Sequence, residues 1–229
     1  MGLLQPPRRP NGVGLQQALT ERRRVFLDTS RAALEFVADE GFARAWDGPS
    51  ALAEFSLRGL VGHLFRATGS VEAYLDRDEP TGPPIDAATY YNEAVGETNL
   101  GSELHRAVRE RGEDAAGAGH AALVDEWTAL IERLATRLAN EPSERLVRVF
   151  RDLVLSLDDY LVTRLVELVV HTDDLAASLE RKPPPLPRAA FEATISCLVE
   201  VARLRHGDEA VVRALARRER DSIRALRVL

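Results

Sequence analysis

Cysteine is almost missing from this chain: Cys197 is the only one. That excludes an intramolecular disulfide and a thiolate metal cluster, and it suits a reducing compartment. Aromatic residues are sparse, at 6%, against plentiful leucine, alanine, arginine and glutamate, a balance that favours helices over strands. No apolar run reaches membrane-spanning length, and the first residues lack the apolar core of a secretion signal. A cytoplasmic chain with no membrane partner is expected. There is no glycine-rich phosphate loop and no nucleophile elbow, so neither nucleotide nor serine-hydrolase chemistry has a footing. Positive charge is not in excess either. The net charge of −6 argues against a nucleic-acid partner.

Helical periodicity is what the sequence does have, and 229 residues allow one sizeable domain with a modest appendage. Residues 1–14, with Pro6, Pro7, Pro10, Gly12 and Gly14, read as a flexible leader. A first helix carries Leu19, Val25, Phe26, Ala33, Phe36 and Val37 on one stripe. Trp46, Gly48 and Pro49 punctuate the connection after it. Ser56 is a good N-cap for a second helix that ends near Asp78, before Pro80, Gly82, Pro83 and Pro84. Residues 85–119 show little pattern beyond Tyr90, Tyr91 and a short helix around Leu104 to Glu110. An insert of that length more often shapes a binding site than a core. A third helix runs from about 120 to 139, and Leu146 to Phe150 alternates as a short extended piece. Ser156 with Asp159 opens a fourth helix, which the prolines between Lys182 and Pro187 terminate. Two more helices, 188–205 and 208–219, and an extended Ile223 to Leu229 complete the chain. The expectation is an all-α fold: a four-helix bundle over residues 15–181 and a short C-terminal helical extension over 188–229.

Glu167 and His171 are four residues apart on the fourth helix, so they share a face with Cβ atoms about 5–6 Å apart. They belong to a polar row, Tyr160, Arg164, Glu167, His171, Asp174 and Ser178, beside the apolar stripe, as a site built between helices requires. His63, among Leu60, Val61 and Leu64 on the second helix, is the natural third member. Two histidines and a glutamate leave a coordination position open, as catalytic zinc sites do. Such nitrogen and oxygen donors suit zinc and also accept nickel, iron or manganese. On spacing alone a plainer reading stands beside this one: a hydrogen-bonded core histidine and a chance Glu–His pair.

The segment from Ser56 to Leu64, SLRGLVGHL, resembles the helix bearing the first metal histidine of the mycothiol-dependent maleylpyruvate isomerase family, a branch of the DinB-like bundles. The segment from Arg164 to Ala176, RLVELVVHTDDLA, resembles that family's second metal motif. The resemblance spans roughly residues 18–180. It implies a DinB-like up-down four-helix bundle, with His63, Glu167 and His171 holding a divalent metal, most commonly zinc. It also implies mycothiol as thiol cosubstrate and a small electrophile as substrate, in isomerase or thiol-transferase chemistry. On that model the metal-activated thiol is the nucleophile. Asp174 would orient an imidazole from behind. Arg164 would pair with Glu167 or meet an anionic substrate, and a structural salt bridge is an equal reading for both. Mycothiol use would imply an actinobacterial source, with which the arginine- and alanine-rich composition agrees. The isomerase type carries a larger C-terminal domain than the residues after Pro187 could form, so a different specific reaction is expected.

Elsewhere, His105, His120 and His206 stand in glycine-rich or charged surroundings and are expected to face solvent. Cys197 lies in an apolar run and reads as buried and inert. Arg213, Arg217, Arg218, Arg220, Arg224 and Arg227 form a basic patch that reads as a solvated face. A homodimer is compatible with the sequence. The competing functions are a non-catalytic DinB-like binding or sensor protein and a regulator that uses the basic C-terminal hairpin.

Overall fold

Side-chain caps set where most of the helices begin. The computed structural model describes residues 19–95 and 103–216. Helix α1 (Glu21–Val37) starts where the Thr20 hydroxyl accepts the Arg23 N–H at 3.3 Å. Asp39 caps the short α2 (Glu40–Ala45). Ser56 Oγ accepts the Gly59 N–H at 2.9 Å to open α3 (Leu57–Leu75). Asp86 caps α4 (Ala87–Tyr90), which runs into a π-helical turn at Tyr91–Val95. Helices α5 (Glu103–Ala115) and α6 (His120–Asn140) follow. A two-stranded antiparallel hairpin, β1 (Leu146–Arg148) and β2 (Val154–Ser156), pairs Val147 with Leu155. Ser156 then caps α7 (Leu157–Ser178), accepting the Asp159 N–H at 3.0 Å. Helices α8 (Arg188–His206) and α9 (Asp208–Ala216) complete the described residues. Each such cap satisfies an N–H that the helix itself leaves unpaired. Among the described residues no helix is long and apolar enough to cross a membrane.

The protein is mostly helical, as expected. Two local features were not legible in the sequence, and a third, the helix expected around Leu104 to Glu110, is longer than its pattern showed. Helix α2 is too short to show a period. Strand β2 exists because β1 supplies its partner, with Arg151 and Asp152 turning between them at φ of 60° and 59°. Residues 85–119 are more than a site-shaping insert, because they contain α5, which packs closely along α3. A Cβ on Gly62 would overlap the Gly112 carbonyl oxygen, and one on Gly112 would overlap the Gly59 carbonyl oxygen. Glycine is required there because the two backbones touch. The leader at residues 1–14 and the segment Ile223 to Leu229 lie outside the described residues.

Helices α1, α3, α6 and α7 surround the core residues Phe26, Leu60, Leu64, Trp127, Leu134, Leu161 and Leu165. Their directions follow from cross-helix bonds. His63 faces Glu167, and Ser70 meets Tyr160, so α3 and α7 run antiparallel. Trp127 bonds Thr68 and Arg133 bonds Glu72, so α3 and α6 run the same way. The expected up-down alternation therefore holds from α1 to α3 and from α6 to α7, but not from α3 to α6. The long connection from α3 to α6, which carries α4 and α5, lets these two neighbours run in the same sense.

Two features tie the helices into one body. Arg23, 1% exposed, donates to the carbonyls of Leu138, Glu141 and Pro142 and pairs with Asp158 at 3.1 Å. It closes the C-terminal end of α6 and fastens α1 to α7. Helix α8 buries Ala190, Thr194, Cys197, Val201 and Ala202, packing on α7, α1 and α4. Helix α7 is consequently buried on nearly every side, with its polar row as the exception.

Candidate metal centre

The polar row of α7 opens beside α3. Leu161, Leu165, Leu168, Thr172 and Leu175 anchor α7 in the core. Leu60, Val61 and Leu64 do the same for the turns of α3 around His63. Rigid helices on both sides hold the intervening side chains in place.

His63, Glu167 and His171, separated widely in sequence, meet here. His63 Nε2 lies 3.2 Å from Glu167 Oε2, and His171 Nε2 lies 3.3 Å from the same oxygen. The two imidazoles stand edge to face, with ring centres 4.9 Å apart. Their side chains are 18–20% exposed, so one flank of the group reaches solvent. On His171 and Glu167 the atoms not pointed at the centre have partners of their own. Asp174 Oδ2 sits 2.9 Å from His171 Nδ1. The single proton of the Tyr91 hydroxyl is shared between Glu167 Oε1 and the Thr163 carbonyl oxygen, each 3.0 Å away.

The environment separates the charge states of the group. Burial alone would raise the Glu167 pKa, yet hydrogen bonds from His171 and His63 and the Arg164 charge hold it well below the usual range. Burial would lower His171, but bonds to Asp174 and Glu167 lift it to about 9. Burial does lower His63, outweighing its bond to Glu167. Burial also pushes Tyr91 well above its ordinary value, with the nearby Glu167 charge adding to it, so its hydroxyl stays protonated and donates.

This donor set fits a divalent ion. Two Nε2 atoms aimed at one carboxylate oxygen make a convergence that simple pairing does not require. For bonds of about 2.0–2.1 Å, the donors of a tetrahedral site lie about 3.3 Å apart. The observed 3.2 and 3.3 Å agree. His63, Glu167 and His171 could therefore hold a metal ion, with Asp174 against the far nitrogen of His171 and Tyr91 against the far oxygen of Glu167.

The other expected residues are distributed differently. Arg164 lies on the same face of α7, with its Nε 3.1 Å from Thr163 Oγ1 and its guanidinium over the Tyr160 ring. No ion pair joins it to Glu167 among the described residues. His120 is not a solvent residue: its Nε2 is 2.7 Å from the Val37 carbonyl and its ring packs edge-on against Trp46. His105 is half-buried and His206 is exposed. Arg213 pairs with Glu209, while the remaining arginines of the basic patch lie outside the described residues. Cys197 is buried, and that burial pushes its thiol up to about 12. It lines a cleft of about 730 Å³ between α1, α4, α7 and α8, together with Asp86, Asp158 and Glu192. None of the three converging residues reaches that cleft, and a protonated thiol among carboxylates gives it no evident chemistry. Tyr91 is the participant that sequence reasoning missed. It was visible only as an aromatic in an unpatterned segment, and no spacing links it to Glu167.

A family model described as the mycothiol maleylpyruvate isomerase N-terminal domain matches residues 26–176, about two thirds of the chain. The match includes all three converging residues and stops short of α8 and α9. No curated protein and no solved structure matches the chain.

Proposed function

The chain belongs to the mycothiol maleylpyruvate isomerase N-terminal domain family, and from that premise we propose a metal- and mycothiol-dependent enzyme acting on a small electrophile. The observation that carries this reading is the convergence of both Nε2 atoms on Glu167 Oε2. His63, Glu167 and His171 are the ligands, with zinc preferred on donor chemistry. A bound divalent ion supplies the Lewis acidity that lowers the pKa of a thiol such as that of mycothiol. The protein's own residues do the rest. Asp174 holds the Nδ1 proton of His171, so Nε2 is the nitrogen that would give up its proton to a metal. Tyr91 occupies Glu167 Oε1 and so directs Oε2 inward. The solvent-facing flank admits the thiol and the electrophile, and the buried helices keep the ligands from collapsing onto it.

In this reading α1, α3, α6 and α7 are the four helices of a DinB-like bundle, α8 and α9 are its C-terminal extension, and the protein works in the cytoplasm. The reaction is thiol transfer or isomerisation. Elemental mass spectrometry tests the centre. Near-stoichiometric metal is expected in the wild type, and little in Glu167→Ala combined with His171→Ala. Turnover of mycothiol with an electrophile should then disappear in His171→Ala while the fold persists. A folded wild type that takes up neither zinc nor nickel would overturn the catalytic reading and favour a bundle kept for binding.

A further inference from the structure

His63 is the one member of the converging group whose far side has no hydrogen-bond partner. Asp174 faces His171 Nδ1 and Tyr91 faces Glu167 Oε1, but nothing among the described residues bonds His63 Nδ1. An imidazole held at one nitrogen keeps freedom about its broad ring torsion unless packing removes it. Apart from His171, the ring that lies against His63 is that of Phe55. Their ring centres are 5.9 Å apart, with the planes tilted by 56°, within the range of favourable aromatic pairs.

Phe55 comes from the connection between α2 and α3, and hydrogen bonds fix that connection in place. The Leu57 N–H donates to the Gly48 carbonyl at 2.9 Å and closes its base. Inside it, the Phe55 N–H donates to the Leu52 carbonyl at 2.9 Å. Ser50 Oγ accepts the Leu52 N–H at 3.1 Å and lies 2.9 Å from the Phe55 carbonyl oxygen. The Ala51 N–H then reaches across to α7, donating to Ser178 Oγ at 2.8 Å, while Ser178 donates to the Asp174 carbonyl at 2.7 Å. Ser178, the last member of the polar row, thus latches the loop to the turn of α7 that carries Asp174. The Phe55 side chain is half-buried and packs on the core.

We propose that Phe55 is the positioning residue of His63. Its ring, carried on a loop latched through Ser178, supplies by packing the constraint that Asp174 and Tyr91 supply to the other two residues by hydrogen bonding. The inference rests on the reading of His63, Glu167 and His171 as a metal centre, but the constraint acts on the His63 ring whether or not a metal is bound.

Two readouts on the full chain test it: zinc affinity by competition with a chromophoric chelator, and the imidazole signals of His63 by nuclear magnetic resonance in chelated protein. Phe55→Ala should weaken zinc about tenfold and broaden or split the His63 signals. Phe55→Leu, which keeps the bulk, should stay near the wild type in both. Wild-type affinity and one sharp His63 signal in Phe55→Ala overturn the proposal, even if that variant melts earlier, because Phe55 then only fills space. An equal loss in Phe55→Leu overturns it too. If Phe55→Ala does not fold, Ser178→Ala decides: cutting the latch must shift both readouts in the same direction, and unchanged readouts overturn the proposal. A wild type that takes up no zinc, with His63 signals that still broaden in Phe55→Ala, would sink the metal reading and leave the positioning of His63 standing. Stoichiometric zinc with no effect of Phe55→Ala would sink the positioning alone.

Discussion

At His171 and Glu167, the proposed ligands, the atom that faces away from the centre is held by a partner of its own. Asp174→Ala frees His171 Nδ1, and Tyr91→Phe frees Glu167 Oε1. Each substitution should weaken metal binding about 10–100-fold with the fold intact, as measured by competition with a chromophoric chelator. Affinities unchanged in both would show that the ligands orient themselves. The same contacts give the metal-free protein a distinctive pH dependence. His171 titrates at about 9 when folded, against about 6.5 when unfolded. Its stabilising contribution is therefore complete below about pH 6.5 and lost as pH rises through about 9. His63, held neutral by burial, acts in the opposite sense and lowers stability as pH falls below about 6.5. Urea midpoints of chelated protein between pH 6.5 and 9.5 should fall for the wild type and stay flatter for His171→Gln. Parallel profiles would refute the assignment.

The contact between α3 and α5 is the most exacting join between elements. Gly62→Ala drives a methyl group into the Gly112 carbonyl, and neither backbone can yield without parting the helices. A loss of about 1–3 kcal/mol or more is expected by denaturant unfolding. His63 sits one residue from this contact, so the variant should also lose metal affinity. A variant that unfolds like the wild type would show that the backbones have room to separate. Ser56→Ala removes the α3 cap and the hydroxyl that bonds Glu113 of α5, which predicts a loss of about 1 kcal/mol in the same assay.

For the molecule as a whole, Arg23 is the fastening whose removal should be felt everywhere. Arg23→Ala leaves three carbonyls at the end of α6 without their donor and Asp158 without its partner. Stability should drop by about 3 kcal/mol, in one cooperative transition. Two separate transitions would mean that α1 and α6 unfold independently of α7. Helix α8 belongs to the same body, because Ala190 and Val201 are fully buried against the bundle. A chain ending at Arg181 should therefore expose apolar surface, bind a hydrophobic dye and melt earlier than the full chain. A truncated chain with unchanged melting would make α8 and α9 an independent appendage.

The sequence alone determined the helical character, the caps at Ser56 and Ser156, the proline stop after α7 and the i, i+4 pairing of Glu167 with His171. All of these are local: they depend on period, on a capping oxygen or on a missing N–H, and each is complete within a few residues. Direction and encounter were decided only in three dimensions. That α3 and α6 run the same way shows only in the bonds between them, and the close seat of α5 on α3 depends on glycines far apart in sequence touching. Tyr91 reaches Glu167, and His63 reaches both Glu167 and His171, only because the core packs α4 and α3 against α7. His120 looked solvent-facing beside glycines, yet the end of α1 lies against it and takes its ring nitrogen. The sequence chose the side chains that can form the centre, and long-range packing brought them within bonding distance.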